Sequence, residues 1–314
     1  MIKFLKLNIF YILLLTGMTT LFVISCQKNQ NEIDRQEETI LQGEMTIVVD
    51  QTVRSIVEDQ LAVFESQYKA KIKLIIKPET EVINDLINQK AAVAVLTRKL
   101  TTEEEAVFKN RKILPRPTLF ASDAIVLLTN KNSKDTLVDL QEILNLMQQK
   151  ASKVSSLVFE NQNSSTITYM NKLAGVSNGP INGVYALNSH EEVLKYIIKN
   201  PNAIGVVGLN LIVQPNDKLT PYLSQLKVMG VKNVKNKSFN QAYYKPSQSN
   251  LGAGLYPLIR EVYLLNYQGK EGLGMGFGSF IAGETGQRIV LKSGLLPATI
   301  PTRIINIRKE LEKK

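Results

Sequence analysis

The sequence predicts an α/β protein with mainly parallel sheets, arranged as two lobes between which the chain crosses. The first observation is that, from Met45 onward, short apolar runs of strand length alternate with helical patterns. The second is length, since 289 of the 314 residues follow Ser25 and this exceeds what a single core usually encloses. The third is that no segment resembles a linker between consecutive domains, which favours lobes that share the chain.

The first 25 residues have the order of a secretory signal peptide. Lys3 and Lys6 form a basic start, an apolar run covers residues 9–24, and Ser25 precedes Cys26. A cysteine at this point resembles the lipobox of bacterial lipoproteins, in which the thiol is acylated and the preceding peptide is removed. The run is short for a membrane span, which needs about 20 residues. We therefore expect a lipid on Cys26 and a cell-envelope location facing the periplasm or exterior. Because Cys26 is the only cysteine, no disulfide is expected.

Residues 26–44 are predicted to be a flexible tether. Their sequence is polar and charged and cannot bury enough apolar surface to order itself, so folded structure is expected from Met45. Without residues 1–25 the chain has 36 basic and 28 acidic residues, a net charge of +8. A basic surface is either simply solvated or favours anionic ligands and lipid headgroups. Nucleic acid is not expected, because no basic cluster is interleaved with aromatic residues.

Seven apolar runs are predicted to be strands. They are MTIVVD (45–50), KIKLIIK (71–77), AAVAVL (91–96), DAIVLLTN (123–130), SSLVFEN (155–161), AIGVVGL (203–209) and LKVMGV (226–231).

Helical patterns occupy the intervening segments. Apolar stripes begin at Val53 and Val82, and capping boxes join Thr101 to Glu104 and Ser189 to Glu192. Further helices are expected from Thr136 and Ile167, then over residues 256–265 and 279–294.

Catalysis is poorly supported by the residues present. His190 is the only histidine, and its place in the first turn of a helix beside two glutamates indicates a surface residue rather than a catalytic base. With one histidine and one cysteine, the chain has no cluster suited to zinc or copper. The glycines of residues 271–280 lack the spacing of a dinucleotide-binding loop, and no Walker-type loop occurs. We expect neither an enzyme nor a cofactor.

Anion binding is better supported. Three strand-to-helix junctions are rich in hydroxyl or amide side chains: Gln51–Ser55, Leu96–Thr101 and Asn161–Thr166. Helix N-termini present free N–H groups and a positive dipole end, which can hold an anion. For any one junction alone, ordinary N-capping is the favoured interpretation. Their combination in one α/β chain points to the strand-tip edge, where such folds bind ligands.

The order of these segments over residues 45–308 resembles the solute-binding proteins of phosphate ABC transporters. The matching segments are AVAVLTRKLTTEE (92–104), ASDAIVLLTNKNS (121–133), NSSTITYMNKLAG (163–175), NPNAIGVVGLN (200–210), YPLIREVYLL (256–265) and GQRIVLKSGLLP (286–297). The resemblance implies a type II periplasmic-binding-protein fold that holds inorganic phosphate between two lobes for import.

By this resemblance, Thr52 supplies the first-loop hydroxyl and Ser164, Ser165 and Thr166 occupy the family's Ser-Gly-Thr loop. The sequence departs from the family at two charges: Glu160 stands where the family has arginine, and Arg98 stands where it has aspartate. The complete predicted set of ligand-binding residues is Thr52, Arg54, Ser55, Thr80, Thr97, Arg98, Ser164, Ser165 and Thr166.

The predicted first lobe comprises residues 45–125 and 235–314, and the second comprises residues 126–234. Crossover strands near Ile125–Thr129 and Lys227–Val234 would form the hinge. The expected partners are phosphate or a similar oxyanion, an ABC permease with its ATPase, and the membrane through Cys26, with the protein itself a monomer. The alternative is a diverged lipoprotein of the same fold that binds another oxyanion, or an interaction protein without transport.

Overall fold

The computed structural model describes residues 38–177, 179, 181–233 and 242–302. The predicted signal peptide, the lipidation residue Cys26 and tether residues 26–37 lie outside the described residues, as does Val234 at the end of the second predicted crossover.

Two β-sheets account for the described strands. In chain order these are β1 Gln42–Asp50, β2 Lys69–Lys77, β3 Val93–Leu96, β4 Arg116–Asn130, β5 Leu137–Asp139, β6 Ser156–Phe159, β7 Val184–Ala186, β8 Ala203–Gly208, β9 Leu226–Val228, β10 Gly230–Lys232, β11 Tyr243–Tyr244, β12 Ile259–Asn266 and β13 Leu296–Pro297.

Helices pack on the sheets between these strands. They are α1 Arg54–Gln67, α2 Glu79–Ile87, α3 Thr102–Asn110, α4 Leu140–Met147, α5 Ser165–Ala174, α6 His190–Lys199, α7 Leu209–Val213, α8 Thr220–Leu223, α9 Gln248–Gly252, α10 Leu273–Ala282 and α11 Glu284–Lys292. A short 3₁₀ turn, Gln51–Val53, joins β1 to α1. Within the described ranges, none of these helices is long and apolar enough to cross a membrane.

The larger sheet has the order β2-β1-β3-β12-β4-β8-β6-β7, and β9 and β13 also pair with β4. Strands β1, β2 and β3 are parallel, as are β6, β7 and β8, while β12 and β4 run antiparallel to their neighbours in the middle. The first half of β4 pairs with β12 and its second half, from Ile125, pairs with β8. The smaller sheet has the order β11-β10-β5. The predicted α/β class is confirmed.

One segment predicted to be a helix is a strand. The sequence predicts a helix over residues 256–265, but Ile259–Asn266 form β12, which pairs with β3 on one side and β4 on the other. A strand covered on both faces has an almost continuous apolar sequence, which periodicity alone does not distinguish from a buried helix. The predicted helix over 279–294 is also two helices, α10 and α11, that meet at Gly283.

Order begins earlier in the chain than predicted. Strand β1 starts at Gln42 rather than Met45, because β2 extends beside it and pairs Gln42 with Lys69. Ahead of β1, the carboxylate of Glu38 accepts hydrogen bonds from the Gln268 amide at 3.1 Å and from the Leu273 backbone N–H at 3.0 Å. The last part of the predicted tether is therefore part of the fold.

The helix caps follow the sequence closely. Thr101 and Glu104 form the predicted capping box at α3, with both reciprocal bonds present. At α6, Ser189 caps the backbone N–H of Glu192 as predicted, although the Glu192 carboxylate bonds the N–H of Asn188 instead of that of Ser189. Such caps stabilise a helix by about 1 kcal/mol each.

We expect Gly276→Ala to destabilise the fold by about 1–3 kcal/mol, the usual cost of overpacking. A Cβ built on Gly276 would lie 1.6 Å from the backbone oxygen of Ile40, so the segment before β1 must move away from α10. The matched control is Gly252→Ala, whose Cβ would meet only Leu296 at an ordinary 3.5 Å. Equal thermal unfolding of the two variants would contradict this packing.

Candidate functional site

The candidate site is built around a buried ion pair where the two halves of the larger sheet meet. Asp123 of β4 and Arg260 of β12 are directly opposed in the antiparallel register. The Arg260 Nε and Nη2 donate to Asp123 Oδ2 at 2.9 and 2.6 Å, and both side chains are almost completely buried. The register thus fixes the guanidinium beside its counter-ion at the point where β4 passes from one half-sheet to the other.

Three hydroxyl groups complete the coordination of Arg260. Its Nη2 donates to Thr52 Oγ1 at 3.0 Å, and its Nη1 donates to Ser165 Oγ at 2.8 Å and to Thr97 Oγ1 at 3.5 Å. A guanidinium has five N–H donors, and Arg260 has a partner for each of them. The hydroxyls come from three of the loops at strand ends that the sequence singled out.

Strand β8 passes so close to the ion pair that its residue 208 has to be glycine. A Cβ on Gly208, at the end of β8, would lie 2.7 Å from Arg260 Nη2 and 3.3 Å from Asp123 Oδ2. The next residues extend the network, since the backbone N–H of Asn210 donates to Asp123 Oδ1 at 3.1 Å and the side chain of Asn210 accepts from the backbone N–H of Ile56 at 3.3 Å. Both halves of the sheet therefore contact the ion pair.

The two loops that carry Thr52 and Ser165 touch each other directly. Their hydroxyl oxygens are 3.1 Å apart, and Thr52 Oγ1 also donates to Asp50 Oδ1 at 3.0 Å. Because the single hydroxyl proton of Thr52 goes to Asp50, Ser165 is the donor in the bond between the two hydroxyls. Asp50 is fully buried, and its Oδ2 has no hydrogen-bond partner among the described residues.

Glu160 lies at the end of β6, beside the same loop. Thr166 Oγ1 is 3.1 Å from both carboxyl oxygens and 2.8 Å from Ser164 Oγ, which caps the backbone N–H of Ile167 at the start of α5. Glu160 is fully buried, and this burial raises its pKa to about 7. Near neutral pH this carboxyl group is therefore divided between its protonated and ionised forms.

His190 is not the surface residue that its sequence context indicated. Its side chain is 16% exposed, and Nε2 lies 3.8 Å from Glu160 Oε1 and has no hydrogen-bond partner in the described structure. Burial lowers the pKa of His190 to about 4. The two groups therefore form no ion pair at neutral pH, because the imidazole is uncharged. Across the described ranges, no three His, Cys, Asp or Glu side chains are grouped to hold a metal ion.

The structure brings together five of the predicted site residues: Thr52, Thr97, Ser164, Ser165 and Thr166. Arg54 is not among them, since its side chain is 56% exposed and pairs with Glu58 on the surface of α1 at 2.7 Å. Ser55 also points elsewhere, donating to the backbone oxygen of Gln214 at 3.2 Å.

Arg98 forms a separate ion cluster next to the site. Its guanidinium binds Glu104 through two bonds of 2.8 and 2.9 Å and Glu79 through one of 3.0 Å. Burial raises the pKa of Glu79, and the Arg98 charge opposes this shift. Thr80 instead contacts the neighbouring loop, where its backbone N–H donates to the Asn163 carbonyl at 3.3 Å. The charge of Arg98 is thus balanced by carboxylates of α2 and α3.

Sequence reasoning missed the central residues Arg260, Asp123 and Asp50. The available signal was the charge of Arg260 inside an apolar run and of Asp123 at the start of another. Charged side chains are almost never fully buried unless paired, so two apolar strands carrying one opposite charge each point to a buried pair. Assigning residues 256–265 to a helix hid this relation.

Residues 35–285 match the family model of the PBP superfamily domain, so the chain belongs to this family and the predicted binding-protein fold is confirmed. No curated protein matches the chain.

Three solved structures show the same fold. A Clostridium perfringens protein with bound phosphate, assigned to the phosphate ABC transporter substrate-binding proteins, is 17% identical with a TM-score of 0.63 over 82% of this chain and 100% of its own. An ABC-type phosphate transport receptor from Vibrio cholerae is 16% identical, with a TM-score of 0.61 over 81% and 100%. A candidate phosphate-binding protein from Planctomyces limnophilus is 17% identical, with a TM-score of 0.54 over 82% and 94%.

Arg260→Met is expected to destabilise the protein by about 3–5 kcal/mol, because it leaves Asp123 buried without a counter-ion. Arg260→Met combined with Asp123→Asn should recover at least half of this loss, since the amide keeps an acceptor for the Asn210 N–H and carries no charge. Chemical denaturation measures both. The surface control Arg54→Met, which breaks the exposed pair with Glu58, should change stability by less than about 1 kcal/mol. Additive effects of the two core substitutions would contradict the pairing.

Glu160→Gln should stabilise the protein at pH 8, by about 1–3 kcal/mol, and have little effect at pH 4.5. With a folded pKa of about 7 against an ordinary 4.5, Glu160 binds more protons in the folded state than in the unfolded state between these values. Its contribution to stability is therefore present below pH 4.5 and is lost as pH rises through 7. His190 has the opposite slope, gaining stability as pH rises from about 4 to 6.5. The difference between variant and parent melting curves isolates Glu160, and a difference independent of pH would refute this assignment.

Proposed function

We propose that this protein is the solute-binding component of an ABC importer and that its ligand is an oxyanion, with phosphate as the first candidate. It binds rather than catalyses, and no cofactor takes part. The observation that supports this most directly is the convergence of the Thr52, Thr97 and Ser165 hydroxyls on one buried guanidinium at the N-terminus of α5. Hydroxyls, a guanidinium and a helix start are groups that bind oxyanions. The structural neighbour from Clostridium perfringens has phosphate bound, and the one from Vibrio cholerae is a phosphate transport receptor.

In this proposal, residues 45–125 with 235–314 form one lobe and residues 126–234 form the other, and the anion lies between them. A lipid on Cys26 holds the protein at the membrane, outside the cytoplasm. As a monomer it delivers its ligand to a permease driven by an ATPase. The strand β4, shared by both half-sheets, is the best candidate for the hinge.

Charge balance limits which form of the anion fits. Arg260 is already compensated by Asp123, and Asp50 and Glu160 are buried nearby. A dianion would meet uncompensated carboxylates, whereas a protonated oxyanion can donate to them. Protonation of Glu160 below pH 7 removes one of the opposing charges. The proposal therefore favours anions that carry a proton, and tighter binding below pH 7.

A second candidate is an interaction protein that keeps this fold without a transported ligand. The observation in its favour is the direct 3.1 Å hydrogen bond between Thr52 and Ser165. An anion oxygen that accepts from both hydroxyls needs their protons, which now serve the Ser165–Thr52 and Thr52–Asp50 hydrogen bonds, so both bonds have to break before it can bind. If they do not break, the site stays closed to an anion and the surface is what partners recognise.

Calorimetry on the mature chain with phosphate, and with sulfate as control, tests the proposal. We expect phosphate to bind and sulfate to give no response. Thr52→Val and Ser165→Ala should each weaken phosphate binding about 10- to 100-fold, the loss expected for one hydrogen bond to a charged group. Arg54→Ala and Ser55→Ala are matched controls, since their side chains are engaged outside the site, and should leave affinity unchanged. A folded protein that binds neither anion would rule out phosphate and favour the interaction protein.

A further inference from the structure

We infer that the end of the fold opposite the candidate site is a docking surface for anionic membrane lipids. This surface, called here the basal surface, consists of exposed apolar residues with basic residues around them. The apolar residues are Ile40, Leu41 and Leu114, and the basic ones are Lys69, Lys109, Arg111, Lys112, Arg116 and Lys270.

Several contacts place these residues at one end of the molecule. The carbonyl of Ile40 packs on Gly276 of α10, and Glu38 accepts hydrogen bonds from Gln268 and Leu273. The turn that follows Gln268 lies against Ile113, since a Cβ on Gly269 would be 3.9 Å from its side chain. The rings of Phe108 and Tyr267 are 4.0 Å apart, which brings the end of α3 to the same place.

Three large apolar side chains are exposed on the basal surface. Ile40 is 44% exposed, Leu41 42% and Leu114 81%. Beside Leu41, a groove of about 250 Å³ opens between Tyr68, Met275 and Phe280. Exposed apolar groups that are surrounded by polar residues mark sites of interaction with proteins or membranes.

The basic residues of the basal surface favour an anionic membrane over a neutral protein as its partner. Within the described structure, Lys69, Lys109, Lys112 and Arg116 form no ion pair with any carboxylate, whereas Lys270 pairs with Glu38 at 3.4 Å. Basic side chains combined with exposed apolar ones bind an interface that offers both anionic headgroups and hydrocarbon. A neutral protein partner would leave these four basic side chains without a counter-ion.

The short length of chain between Cys26 and the fold also favours the membrane as the partner. Cys26 lies twelve residues before Glu38, so a fully extended chain between them spans at most about 40 Å. A lipid on Cys26 would keep the basal surface near the bilayer. Strand β1 runs from this end to Asp50 at the candidate site, a distance of about 27 Å for nine residues. Docking by the basal surface therefore leaves the candidate site facing away from the membrane.

The test uses the chain from Cys26 to Lys314, coupled through that thiol to maleimide-bearing vesicles, so it does not depend on natural acylation. The sequence has no tryptophan, so Leu41→Trp gives a single reporter. The matched control is Leu137→Trp, at a residue that is 54% exposed on the smaller sheet. In phosphatidylcholine vesicles containing phosphatidylglycerol, brominated lipids should quench the tryptophan at position 41 and leave that at position 137 unquenched. Pure phosphatidylcholine vesicles should give much weaker quenching.

Charge reversal then identifies the cause. Arg111→Glu, Lys112→Glu and Arg116→Glu together should lower the ratio of docked to undocked protein at least about tenfold. Reversal of the exposed Lys131, Lys134 and Lys227 should leave it unchanged. Added salt should release the parent protein from anionic vesicles, which tests the inference without any variant. Quenching that is equal at positions 41 and 137, equal in neutral and anionic vesicles, or retained after reversal of the first three residues would overturn it.

Discussion

The Asp123–Arg260 ion pair is the constraint on which the rest of this structure depends. Two adjacent antiparallel strands place opposite charges side by side in the centre of the larger sheet, where neither can reach water. Leaving either charge unpaired there would cost several kcal/mol, so the register of β12 on β4 has one favourable setting. The same pair demands glycine at position 208 and orients the Thr52, Thr97 and Ser165 hydroxyls. A single buried pair thus joins the packing of both half-sheets to the geometry of the candidate site.

Around this pair, the site contains more acid than base. Asp50, Asp123 and Glu160 are fully buried, and Arg260 is the cation in contact with the hydroxyls. Glu160 reduces this imbalance by holding a proton in part of the population near neutral pH. Its partner Thr166 suits either state, because a hydroxyl can donate to a carboxylate or accept from a carboxylic acid. Arg98, which the sequence predicts as a ligand-binding residue, is paired with Glu79 and Glu104 and contributes little to this balance.

The fold could be predicted largely from the sequence, whereas the site could be predicted only in part. Alternating strands and helices, the capping box at Thr101 and the hydroxyl-rich loops are local features, and local patterns report them directly. The Ser164–Thr166 loop and Thr52 are found in the site for the same reason.

Arg260 could not be placed this way, because its role arises from the pairing of β12 with β4 across more than a hundred residues. Predicting a helix over 256–265 also hid the pairing of Arg260 with Asp123 across the two strands. The position of Arg54 is misleading for a related reason: it follows Thr52 by two residues, but its side chain is exposed and pairs with Glu58 on α1.

An anion that enters this site must replace interactions that already satisfy it. The hydrogen bond between Ser165 and Thr52 joins two neutral groups and contributes about 1 kcal/mol, whereas a bond from either hydroxyl to an anion contributes about 1.5–3 kcal/mol. Exchange of one for the other is therefore favourable before repulsion from Asp50 and Glu160 is counted. That repulsion grows with the charge of the anion and falls when Glu160 is protonated. Affinity at this site is consequently a difference between charge-assisted bonds and carboxylate repulsion, and it is the protonation of ligand and Glu160, rather than the number of hydroxyl donors, that decides its sign.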